Sequence, residues 1–217
     1  MAPTRSRRTQ AERTATTRRA LLDATLQALV DVGFKGTTTT EVARRAGVSL
    51  GALQGQFPTK SELLAAAVTY SLDRRVEELG VLMAGLDPSA DKLDEAIDLL
   101  WSMFSGPTFI AAHELWVAAR TDPELAPAVI DNDRGLAAAC EGVYAQLFPA
   151  SDFADTSLNP GIGLQMVFAL MNGLALARSI EGYESLATDD VLEAFKTLVR
   201  PYLTTKPNQH PQTERPL

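Results

Sequence analysis

Two carboxamides, Gln54 and Gln56, stand two residues apart in a stretch of otherwise small side chains, LGALQGQ at residues 50–56. A glutamine carries a donor and an acceptor side by side, the pair that bonds adenine N6 and N7 together in a DNA major groove. Gly51 and Gly55 let a base edge or backbone come close, and Leu50 and Ala52 can touch a thymine methyl. Around them Thr38, Thr39, Ser49 and Lys60 offer hydroxyls and an ammonium to phosphate oxygens; Lys60 also stands near a helix N-terminus, which itself favours anions. Arg44 and Arg45 add positive charge, and Arg5, Arg7 and Arg8 can reach phosphates or a minor groove. The plainer alternative makes Gln54 and Gln56 surface residues of a small helix bundle and leaves each arginine solvated.

The elements that must hold these groups are legible in the stretch TTTEVARRAGVSLGALQGQFPTK at 38–60. Thr38 is placed to cap a short helix, with Glu41 three residues on at capping-box spacing. Val42, Ala43 and Ala46 give that helix a small apolar face. Gly47 suits its left-handed C-terminal turn, because glycine pays little for positive φ. Val48 plugs inward, Ser49 caps a second short helix through Gln54, and Phe57-Pro58 closes it. Two short helices about a glycine turn, the second with a small polar outer face, form a helix-turn-helix pattern.

Charge is divided along the chain in the same sense. The 217 residues carry a net charge of −7, yet residues 1–60 hold ten Lys and Arg against four Asp and Glu, and residues 61–217 hold ten against 23. A basic head can bind a polyanion that an acidic body avoids. Apolar residues make up 46 % of the chain, enough for a packed core, and richness in Ala and Leu points to an all-α fold. No apolar run reaches the ~18 residues that span a bilayer, and the basic, polar N-terminus lacks the apolar segment of a secretory signal. A single cysteine, Cys140, excludes an internal disulfide and fits a reducing compartment, so a cytoplasmic protein is expected.

Apolar periodicity predicts about nine helices in two domains. Residues 1–8 read as a disordered basic arm. The DNA-binding domain spans 9–60, beginning with a helix over 9–32 that Gly33 stops, with Phe34 packing back into the head core. The helical regulatory and dimerisation domain spans 61–203. Its first helix runs from Ser61 until Asp87-Pro88-Ser89 breaks it, and others follow at 91–105, 108–121, 123–148, 161–183 and 188–203, with a loop at 150–160. The helix at 161–183 is apolar almost all round and is expected to be buried on two sides. Gly161, Gly163 and Gly173, with Ala169, Ala175 and Ala177, permit close helix approach there. Residues 204–217 are polar and Pro-rich and read as a disordered tail.

The head resembles the DNA-binding domain of the TetR (tetracycline-repressor) family of bacterial regulators. The resemblance rests on RRALLDA at 18–24, Gly33-Phe34 and TTTTEVARRAGVSLGALQGQFPTKSELL at 37–64, and covers about residues 10–65. At Gln54-Gly55-Gln56 the sequence departs from the family, where an aromatic is common at the first position and His or Tyr at the third. The resemblance implies a C-terminal body that binds a small ligand and dimerises.

In that body Trp101, Phe104, Phe109, Trp116, Met166 and Met171 are large, soft side chains suited to an apolar cavity, and His113 and Asn172 are candidate polar anchors for a ligand. Each has a plain alternative: rings that pack in a core, or a hydrogen-bonded internal His or Asn. A short recognition helix reads few base pairs, so a homodimer on a palindromic operator is expected, paired through 161–183 and 188–203. The expected function is a ligand-responsive regulator of transcription, with repression as the output and a mainly apolar effector releasing double-stranded DNA. An architectural DNA-binding protein is the alternative, disfavoured by the acidic body and separable by its affinity for random DNA. An enzyme is a weaker one: His113 and His210 cannot form a metal cluster, and there is no phosphate loop or nucleophile elbow. Nothing in the sequence calls for a metal or a cofactor.

Overall fold

A capping box starts the first described helix. In the computed structural model, which describes residues 9–85, 91–148, 160–180 and 187–204, Thr9 Oγ1 accepts from Glu12 N at 3.2 Å and Thr9 N donates to Glu12 Oε2 at 2.7 Å. From this cap runs α1 (Gln10–Gly36), followed by α2 (Thr39–Ala46), α3 (Leu50–Gln56), α4 (Lys60–Ala84), α5 (Lys92–Phe104), α6 (Pro107–Ala119), α7 (Ala126–Leu147), α8 (Pro160–Arg178) and α9 (Thr188–Thr204). These nine helices, with no strand among the described residues, make the all-α class. The expected arm at 1–8, the break at 87–89, the loop as far as residue 159 and the tail from 205 lie outside the described residues.

The described residues fall into two units, one within Met1–Gly80 and Ser105–Leu136, the other within Val81–Phe104 and Ala137–Leu217. The first unit has two apolar clusters. One gathers Leu21, Leu22 and Ala28 of α1 with Val42, Ala43, Leu53, Phe57, Leu63 and Ala67. The other joins Leu29, Leu64 and Val68 to Ala111, Leu115 and Ala118 of α6 and to Leu125 and Val129. Thus α1 and α4 each supply both clusters, and residues 105–136 pack with the helices that carry the helix-turn-helix. Phe34 joins the second cluster rather than the small core under α2 and α3, because α1 kinks at Gly33 (φ 67°, ψ −179°) before it ends. Polar clips reinforce the α1–α4 contact: Tyr70 OH donates to Asp23 Oδ1 at 2.6 Å, with Arg74 3.8 Å from the same carboxylate.

In the second unit α9 lies along α5 through a ladder of charges. Arg200 meets Asp91 and Asp94, the latter at 2.7 Å, and Lys196 Nζ stands 2.8 Å from Asp98. The Arg200 guanidinium holds the Asp91 carboxyl below its ordinary range. Between α5 and α8, the rings of Phe104 and Phe168 approach to 5.6 Å.

Two expectations for α8 are corrected. It buries one face only, through Leu164, Met171, Leu174 and Ala175, while Ile162, Met166 and Leu176 are exposed at helical spacing. An apolar surround shows only that a helix can be covered on two sides, and the described residues cover one. Moreover, Gly161–Arg178 is long and apolar enough to cross a membrane by length and composition, whereas no stretch was expected to be. Gln165 and Asn172 interrupt the run in sequence without lowering its average below that mark.

Leu53 is the one fully buried residue of α3. Leu53→Ala is expected to destabilise the first unit by ~2–5 kcal/mol, read by denaturant unfolding against the parent.

Candidate nucleic-acid interface

Local chemistry builds the helix-turn-helix. Thr38 Oγ1 accepts from Glu41 N at 3.2 Å and caps α2. Gly47 then turns the chain at φ 67°, ψ 30°, a left-handed position, and Val48 N bonds to Ala43 O at 3.0 Å. Ser49 Oγ accepts from Ala52 N at 3.1 Å and caps α3. With seven residues, α3 is too short to persist by its own hydrogen bonds. Leu53 and Phe57 fix it by burial, and the Arg18 guanidinium of α1 lies 4.5 Å above the Phe57 ring.

The other side of α3 faces outward. Ser49, Leu50, Gly51, Ala52, Gln54 and Gly55 are exposed, and Gln56 is half-buried at their edge. The two carboxamides, the two glycines and the two apolar contacts predicted for base edges therefore share one surface. A methyl group added to Gly51 or Gly55 would meet no atom within 4 Å. Glycine inside a helix costs ~1 kcal/mol relative to alanine, so nothing among the described residues accounts for either glycine.

The capping box expected at Thr38 is half formed. The Glu41 carboxylate turns away from the Thr38 backbone and binds two guanidiniums: Arg44 through Nε at 2.8 Å and Nη2 at 2.7 Å, and Arg45 through Nε at 2.6 Å. Charge-assisted bonds outweigh a neutral backbone donor. The hydrogen bonds from Arg44 first, and then Arg45, hold the Glu41 carboxyl down at about 2. The Arg45 side chain is 18 % exposed and also binds Asp31 at 2.5 Å, tying α2 to α1, whereas that of Arg44 is 67 % exposed. Thr38 is exposed and Thr39 half-buried. Lys60, first residue of α4, places Nζ 4.6 Å from the centre of the Phe34 ring and 3.5 Å from Phe34 O. Burial pulls its ammonium below the usual lysine range, against the attraction of Asp122. Arg44 and Thr38 are thus presented outward, while Arg45 and Lys60 are engaged within the unit.

The residues expected to line a ligand cavity separate into two sets. On α6 in the first unit, the rings of Phe109, His113 and Trp116 stack in sequence at 5.8 and 6.2 Å, from a buried Phe109 to an exposed Trp116. The other five belong to the second unit: Trp101 under the Arg178 guanidinium at 5.8 Å, Phe104 and Met171 buried, and Met166 and Asn172 exposed. Asn172 Nδ2 donates to Phe168 O of its own helix at 2.8 Å, so its polar group is satisfied locally. Among the described residues, no three of His, Cys, Asp and Glu stand together as metal ligands. Sequence reasoning missed Arg18 as the brace of α3 and Glu114, which accepts from Phe34 N at 2.7 Å. Both partnerships join residues far apart in sequence, and no spacing signals them.

The family model described as "Bacterial regulatory proteins, tetR family" matches residues 21–67. An uncharacterised HTH-type transcriptional regulator of Mycobacterium tuberculosis is 34% identical over 118 residues, which cover 54% of this chain and 60% of that protein. The chain therefore spans less than two thirds of that regulator's length. Among solved structures, a proposed TetR-family transcriptional regulator from Rhodococcus sp. aligns with a TM-score of 0.67 at 22% identity, over 88% of this chain and 100% of that one. The multidrug binding protein EbrR, complexed with imidazole, aligns with a TM-score of 0.58 at 21% identity, over 89% and 98%. At such identities the structural likeness establishes the fold.

Two measurements follow from this geometry. Gly51→Ala and Gly55→Ala are each expected to raise stability by ~0.5–1 kcal/mol while weakening binding to DNA, read by thermal unfolding and fluorescence anisotropy. Glu41 is held below its ordinary value of 4.5, so its pairing stabilises fully above that pH and is lost as pH falls toward about 2. Acid titration of unfolding is expected to show this loss in the parent and not in Glu41→Gln.

Proposed function

We propose, from the match of residues 21–67 to the model of the TetR family of bacterial regulatory proteins, that this chain is a ligand-responsive regulator of transcription of that family. In this reading it acts in the bacterial cytoplasm as a repressor, binding a palindromic operator as a homodimer. The observation that carries the reading is the outward face of α3, where Gln54 and Gly55 stand exposed beside Gly51 and Ala52 while Leu53 anchors the other side. That face suits major-groove contact: Gln54 and Gln56 bond adenine edges, Leu50 and Ala52 meet thymine methyls, and the glycines allow close approach. Ser49, Thr38, Thr39, Arg44 and Lys60 take phosphate-side roles, and Arg45 serves by fixing α2 on α1.

Dimerisation is supported by the second unit. Ile162, Met166 and Leu176 of α8 and Leu198 of α9 are exposed apolar side chains, more than scattered surface residues require. Gly173, on α8, has no atom within 4 Å of where a side chain would begin, which leaves room for a partner helix. The aromatic groups on α5 and α6 support a mainly apolar effector, and EbrR, a protein of the same fold, has been crystallised with imidazole. The effector works by binding the DNA-competent dimer and the released dimer with different affinities, with α4 as the lever.

The test is to sequence genomic fragments retained by the purified protein. A recovered palindrome is expected, with Gln54→Ala or Gln56→Ala relaxing preference at one base pair per half-site by ~1–3 kcal/mol. Equal affinity for random and selected DNA across a salt titration defeats the regulator reading in favour of an architectural protein. Met166→Glu is expected to turn the dimer into a monomer in sedimentation experiments, and an unchanged mass removes α8 from the interface.

A further inference from the structure

Between α1 and α2 the chain passes through a joint that a distant carboxylate holds. Gly33 adopts φ 67°, a left-handed position that favours glycine. The next residue, Phe34, donates its backbone N–H to Glu114 Oε2 of α6 at 2.7 Å, across 80 residues of sequence. The same oxygen fills the space left by the missing side chain, since a Cβ on Gly33 would stand 3.3 Å from it. An amide bonded to a carboxylate makes a charge-assisted hydrogen bond, stronger than a neutral one.

Two helix starts depend on this joint. Thr37 donates twice to Gly33 O, through N at 3.1 Å and Oγ1 at 2.8 Å. Thr38 N bonds to Gly36 O at 2.9 Å, and Thr38 then caps α2. Lys60, at the start of α4, lies over the Phe34 ring. Across the joint, Glu114 sits on α6 between His113 and Trp116, two members of the stacked rings. One side chain therefore touches both the turn that positions the helix-turn-helix and the helix that carries the aromatic ladder.

We propose that Glu114 is a positioning residue that couples the state of α6 to the DNA-reading head; the inference rests on the regulator reading above. A shift of α6 withdraws the Glu114 oxygen from Phe34, relaxes the Gly33 joint and moves the starts of α2 and α4 together. Coupling between two sites is reciprocal. DNA bound to the head therefore acts back on α6, and this can be measured with no effector in hand.

Trp116 reports it: its ring is exposed, stacked on His113, and two residues from Glu114. The chain has two tryptophans, so this chain with Trp101→Phe emits from Trp116 alone. Adding the palindrome recovered from retained genomic fragments is expected to shift Trp116 emission. Glu114→Ala is expected to lose the shift and bind that DNA about tenfold more weakly, the scale of one hydrogen bond to a charged group. Glu114→Gln, which keeps an acceptor oxygen, is expected to restore both. Where Glu114→Ala does not fold, Glu114→Asp keeps the charge, falls short by one methylene and is expected to lose the shift likewise. An unaltered shift and affinity in the Ala or Asp variant overturns the coupling, as does a parent whose Trp116 emission ignores bound DNA. A protein that retains no DNA sinks the regulator reading itself, a different outcome.

Discussion

The burial of Leu53 and Phe57 is the interaction on which the head depends. A helix of seven residues containing two glycines cannot persist in water, because nucleation is costly and few hydrogen bonds follow it. Its helical state comes from the side that packs. Leu53 is fully buried, Phe57 nearly so, and the Arg18 guanidinium covers the Phe57 ring. The departure from the family pattern at Gln54-Gly55-Gln56 leaves this anchoring intact, because none of those three residues belongs to the apolar cluster.

The anchoring cluster is not isolated from the rest of its unit. Along α1, Leu21, Leu22 and Ala28 turn to one apolar cluster and Leu29 to the next, while α4 supplies Leu63 to the first and Leu64 to the second. Adjacent residues on a helix point about 100° apart, so one helix can serve two cores without bending. The helix-turn-helix consequently shares its scaffold with α6 and the start of α7. The boundary that matters for packing lies well beyond residue 60, where the helix-turn-helix ends.

Features governed by near neighbours were legible in the sequence. The caps at Thr38 and Ser49, the left-handed Gly47 and the interruption at Gly33 each follow from a residue type and a spacing of four or fewer. What the sequence hid was competition and distance. Glu41 had the spacing for a capping box, but two arginines on the same helix offered its carboxylate stronger partners. Arg45 reaches Asp31 and Phe34 reaches Glu114 only because the helices cross. Composition could not say which face of α8 this chain covers, nor that the aromatic residues of α5 and α6 belong to different units.

The two glycines of α3 bear on how such a head diversifies. Since Leu53 and Phe57 hold the helix from behind, its outward positions contribute little to folding and are open to exchange. Gly51 and Gly55 extend that freedom, because space for a larger side chain exists at both without any internal adjustment. If this face reads DNA as proposed, single substitutions on it alter the text that is read while the frame that presents it survives. The scaffold and its specificity are separable in inheritance, which lets duplicated copies of such a gene acquire new targets in few steps.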